Sequence, residues 1–111
     1  MKLNPDKVPC NLDEAVELLK EASSIKEQGV LKKMESNQLH HSLGTVIRNE
    51  WSLWYSDTII VQWFKRTYKL DHADDLSGII IECFLNDLNE VKRRDKILAK
   101  QYIAHWKQAN K

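Results

Sequence analysis

Glycine, proline and cysteine are scarce in this chain of 111 residues, at 3, 2 and 2. So little Gly and Pro excludes a loop-rich or many-stranded architecture, which needs those residues at its turns. Two cysteines as far apart as Cys10 and Cys83 exclude a disulfide framework and a zinc knuckle. No apolar run reaches the roughly 18 residues of a membrane-crossing helix. The opening Met1-Lys2-Leu3-Asn4-Pro5-Asp6-Lys7 lacks the apolar core of a signal peptide, so a cytoplasmic location is expected. A Gly-rich phosphate loop, a Ser-His-Asp order, a reactive-cysteine motif and zinc-finger spacing are all missing. An enzyme is therefore the weaker class, and no cofactor is expected.

What remains is a sequence that is 42% apolar and 30% charged, long enough for one small domain with its own core. Its net charge of +1 is unevenly placed. Residues 1–91 carry 10 Lys and Arg against 15 Asp and Glu, a net of −5, whereas residues 92–111 carry 7 against Asp95 alone, a net of +6. The chain thus divides into a helical domain, 1–91, and a basic C-terminal helical tail, 92–111. An acidic body with a basic tail points to the tail docking on the body, to association between copies (a homo-oligomer), or to an anionic partner. One basic tail is too narrow a surface to predict nucleic-acid binding.

Apolar periodicity predicts an all-α fold of five or six short helices. Asn11 followed by Glu14 reads as a capping box before a first helix over 12–22, with Leu12, Ala15, Val16, Leu19 and Ala22 inward. A weak helix follows over 25–34, interrupted by Gly29. A third helix is predicted from about Gln38 to Asn49, with Leu39, Leu43, Val46 and Ile47 on its buried face. His41, Thr45 and Arg48 form a second stripe on that helix. Gly44 in its middle suggests a close approach by a backbone or ring. A fourth helix over 58–68 turns Ile59, Ile60, Trp63 and Phe64 inward. A fifth begins near His72 and runs to Leu88. The tail is helical, with Ile97, Leu98, Tyr102, His105 and Trp106 as a thin apolar edge. The expected core is Leu39, Leu43, Ile47, Trp51, Ile60, Trp63, Phe64, Ile80, Cys83, Phe84 and Leu88.

Two segments concentrate the scarce polar residues among apolar ones: HHSLGTVIRNEWSLW over 40–54 and HADDLSGII over 72–80. Together they resemble a family of small bacterial and phage proteins catalogued as a domain of unknown function. That pattern is His-His, small, Leu-Gly, Ile-Arg-Asn, an aromatic and Leu-Trp, then His, Asp-Asp and Ser-Gly-Ile-Ile. The likeness covers about Asn11 to Leu88. It implies a compact helical domain of bacterial or phage origin, hence a bacterial host cytosol, and it brings no activity. In that family the loop after Leu-Trp is often Gly-rich. Here it reads Tyr55-Ser56-Asp57, so no flexible-loop role carries over.

The candidate ligand-binding residues are His41, Arg48, Asn49, Trp54, Tyr55, His72, Asp74 and Asp75. If the third and fifth helices pack, Arg48 can clamp Asp74 and Asp75, with Asn49 helping to hold that helix start. The same Arg48 could instead meet an anion beside a helix N-terminus. Trp54 and Tyr55, at a helix end, offer rings on which a nucleotide-like ligand can stack, with Arg48 and His41 nearby. His40, His41, His72, Asp74 and Asp75 are a conceivable metal set, but adjacent His on a helix point about 100° apart. The leading expectation is a non-enzymatic binding protein, by size and origin comparable to phage counter-defence proteins. It would occupy a partner protein or sequester a small anionic ligand. The alternatives are a metal-dependent hydrolase using the His/Asp cluster and a purely structural assembly protein.

Overall fold

The computed structural model describes residues 1–109; positions 110 and 111 of the predicted tail lie outside the described residues. Helix α1 spans Leu12–Ala22, as the capping signal predicts. The Asn11 side chain accepts from the Glu14 N–H at 2.9 Å. Glu14 reaches back not to Asn11 but one residue further, taking the Cys10 N–H at 2.7 Å. Helix α2, Ile25–Leu31, starts from a complete capping box between Ser24 and Glu27 but buries no residue.

The predicted third helix is broken. A 3-10 turn covers Ser36–Leu39, and α3 covers only Leu43–Glu50. The His40 and His41 carbonyls, which an unbroken helix would bond to backbone N–H groups, are taken by side chains instead. Arg48 Nη2 donates to His40 O at 3.1 Å, and Thr45 Oγ1 donates to His41 O at 3.0 Å. Helix α4 is Ile59–Tyr68, α5 is Ala73–Leu88, and α6 is Asp95–Ala109, separated from α5 by residues 89–94. The domain is all-α. No helix among the described residues is long and apolar enough to cross a membrane.

Helix α5 is the axis of the fold, with α1, α3, α6 and the 3-10 turn packed around it. Ten of its side chains are buried, which is why its sequence reads as a nearly continuous apolar run rather than a stripe. Leu39, Ile47, Trp51, Ile60, Phe64, Ile80, Cys83 and Phe84 are in the core as expected. Leu43, Trp63 and Leu88 pack against it only partly buried. Two inward assignments fail. Ile59 is 63% exposed, because the inward face of α4 is set by Ile60, Val61 and Phe64 and leaves its first residue outside. Val46 is 45% exposed, because α2 stands off from α3 and leaves an open groove between them.

The basic tail docks on its own body. Arg93 bridges to Asp87 and Asp13, Arg94 approaches Glu82 at 3.9 Å, and the Tyr68 hydroxyl donates to Asp95 at 2.6 Å. Ala99 is buried, and Leu98, Tyr102 and Ile103 pack partly buried. Ile97 and His105 are exposed, so the predicted apolar edge holds at Leu98 and Tyr102 but not at those two positions.

Candidate functional site

The two polar segments meet. Arg48 on α3 is only 4% exposed, and its guanidinium reaches the start of α5. Nη1 donates to Ser77 Oγ at 2.8 Å, and Nη2 donates to the His40 carbonyl and to Thr45 Oγ1, both at 3.1 Å. Nε lies 3.5 Å from Asp74 Oδ1, an ion pair without the alignment of a hydrogen bond. Ser77, wholly buried, donates its own hydroxyl hydrogen bond to the Asp74 backbone carbonyl at 3.0 Å.

Gly44 explains how the guanidinium fits. A β-carbon there would sit 2.7 Å from Arg48 Nη1. The close approach that the sequence suggests at Gly44 is made by the arginine one turn along its own helix. Burying this charge is tolerable because three donor contacts and a carboxylate surround it. The stripe Thr45–Arg48 is real, but His41 contributes only its carbonyl; its side chain is exposed.

The remaining candidates divide. Asp74 takes Arg48, with His40 Nε2 at 3.9 Å. Asp75 does not join the clamp; it accepts the Trp106 indole N–H at 2.7 Å. His72 caps α5, its Nδ1 accepting from the Asp74 N–H at 3.2 Å, and its ring lies 5.1 Å from that of Trp106. Asn49 does not hold the start of α5; its Oδ1 accepts from Trp54 Nε1 at 3.0 Å. The Arg48 guanidinium sits 5.8 Å from the Trp54 ring centre on the same side of the molecule. Trp54 and Tyr55 remain 55% and 64% exposed.

The five imagined metal ligands are not brought together. Among the described residues, no three His, Cys, Asp or Glu side chains converge as a metal-holding group. Cys83 is buried, and that burial pushes its thiol up to about 12, which leaves it a core residue without nucleophilic character.

Sequence reasoning expected the tail to dock but missed where Tyr102 and Trp106 land on α5. A β-carbon at Gly78 would come within 2.6 Å of the Tyr102 hydroxyl, so Tyr102 lies directly on the bare backbone of the Ser-Gly-Ile-Ile motif. Asp75 and His72 likewise receive Trp106. The paired small residue and carboxylate in the first turns of α5 were a signal for this, but the matching aromatics lie a long way along the chain. An apolar groove of about 560 Å³ between the N-terminal segment before α1, α2 and α3, lined by Leu3, Val30, Leu31, Leu39, Leu43 and Val46, was also not foreseen.

The family described as Domain of unknown function (DUF6794) matches residues 8–88 of this chain, all of α1 to α5 and none of α6. No curated protein and no solved structure matches it.

Proposed function

The chain belongs to the DUF6794 family, whose membership carries no activity, and from its geometry we propose a non-enzymatic interaction protein that occupies a partner protein through Trp54 and Tyr55. The observation that carries this reading is the exposure of two large rings on a braced turn. Trp and Tyr supply most of the binding energy at protein interfaces when they are large, rigid and open to a partner.

The turn is held from several sides. Leu53 beside the pair is buried, Trp54 is pinned by Asn49, and the Thr58 hydroxyl donates to Ser52 O at 2.8 Å. Rings held this way lose little freedom on binding, which is what makes them effective anchors. Beneath them the Arg48 clamp serves as support. Both of its Nη groups are engaged inside the protein and its Nε is buried, so a free anionic ligand has little left to meet there. A small bacterial or phage protein that acts by occupying a partner in this way needs no catalytic group.

A photo-cross-linking residue in place of Tyr55, in the full chain and in native host extract, tests this reading. A discrete adduct that disappears when Trp54→Ala is added, and that the same label at exposed Gln62 does not give, is the expected result. Identical labelling from positions 55 and 62, or adducts indifferent to Trp54→Ala, would overturn it.

A further inference from the structure

Asp75 is a buried carboxylate in the first turn of α5. It is 7% exposed, and among the described residues it forms no ion pair. Its hydrogen bond from the Trp106 indole needs only an acceptor, a place that the oxygen of a neutral amide can also fill. A buried carboxylate without a countercharge is costly until a cation joins it.

The space beside it suits one. A cleft of about 570 Å³ opens there, walled by the rings of His72, Tyr102, His105 and Trp106 with the Asp74 and Asp75 carboxylates. Gln101 is the remaining wall of this cleft; Lys69 and Lys107 line only the adjoining hollow, which shares His72, Asp75 and Trp106 with it, and neither pairs with Asp75. Aromatic faces present negative potential, and with carboxylates they attract organic cations. A metal ion is poorly served, because among the described residues no three His, Cys, Asp or Glu side chains converge to hold one. An ammonium on an aliphatic stem can use both the rings and the acids.

We propose that this cleft binds an alkylammonium group, with Asp75 as its principal countercharge, Asp74 beside it and Trp106 as the main ring wall. The site is composite: Asp74 and Asp75 come from the family domain, while Tyr102, His105 and Trp106 come from α6, beyond the family match. It is independent of the Trp54–Tyr55 surface.

The test follows the Trp106 indole N–H resonance of the full chain during titration with propylammonium and with a blocked lysine, against sodium chloride at equal ionic strength. A saturable shift with either amine and none with salt is expected. Binding should weaken about tenfold or more in Asp75→Asn. It should also be lost in Gln101→Lys, which places a resident ammonium at the exposed rim. A response to blocked lysine alone identifies a protein side chain as the natural source; a response to both identifies the ammonium itself. Shifts that salt reproduces, or affinities unchanged in Asp75→Asn, would overturn the site. If Asp75→Asn does not fold, unchanged binding in Gln101→Lys overturns it equally.

Discussion

Gly44 and Gly29 both sit inside helices, where glycine costs about 1 kcal/mol relative to alanine. Their surroundings are opposite. Nothing lies within 4 Å of a β-carbon built at Gly29, whereas one at Gly44 meets Arg48 Nη1 at 2.7 Å. The end of an arginine is ordinarily free to move, but this one is buried and bonded to Ser77, Thr45 and the His40 carbonyl. Gly29→Ala should therefore stabilise the protein by about 0.5–1 kcal/mol. Gly44→Ala should destabilise it by about 1–3 kcal/mol, the loss of charged hydrogen bonds outweighing the gain in helix propensity. Urea unfolding of the two variants beside the parent chain checks this. A Gly44→Ala midpoint at or above the parent's would mean that the clamp relaxes freely and is not the reason for glycine there.

At the scale of the elements, the chain's poverty in glycine has a consequence at helix ends. Lys69, which caps α4, has a φ of 62°, and Glu90, just beyond the α5 cap, has a φ of 56°. Left-handed backbone costs a residue with a β-carbon about 1 kcal/mol, and helices commonly place glycine there. Glu90→Gly and Lys69→Gly should each raise stability by about 0.5–1 kcal/mol, less any entropy gained by the unfolded chain, visible as a higher thermal midpoint. Lowered midpoints in both would show that the side chains contribute more than the strain they impose. The ends at Tyr68 and Leu88 were legible in the apolar pattern, but their left-handed residues were not, since no Gly marks them. The starts were legible: Asn11 placed α1 to the residue, because caps are local chemistry, and α2 begins at Ile25 as read. The break at His40–Ser42 was not, because the carbonyls that leave the helical pattern are claimed by Arg48 and Thr45 from the next helix. The meeting of Arg48 with the start of α5 could be read from residue types alone. The partner of Asp75 could not, since it rests on how a tail folds back.

For the molecule as a whole, the junction of body and tail is electrostatic as well as apolar. Asp87 on α5 receives Arg93 through two bonds, 2.9 and 2.8 Å, and Lys20 on α1 at 3.0 Å. Arg93 also reaches Asp13 on α1. One carboxylate thus ties together α1, α5 and the segment leading into α6. The Arg93 guanidinium bonded to it, with Lys20 adding to the effect, holds the Asp87 carboxyl below its ordinary value despite partial burial. A carboxyl depressed in the folded state adds stability above its unfolded pKa, near 3.9, and that stability is lost as pH falls through the folded value. Acid should accordingly weaken the attachment of the tail before the apolar core itself fails. Asp87→Asn should lower stability at pH 7 by about 1–2 kcal/mol, since charged hydrogen bonds here are partly screened by solvent. It should also flatten the decline below pH 4, because the group that titrates is gone. Urea midpoints for both proteins from pH 7 to pH 2.5 measure the two effects together. Parallel curves, displaced but with the same acid slope, would locate the acid sensitivity in other carboxylates and leave Asp87 as a mere hydrogen-bond acceptor. Convergence of the two curves in acid, with hydrogen exchange at Ala99 and Tyr102 quickening ahead of Ile80 and Phe84, is what a charge-fastened tail on an independently packed core requires.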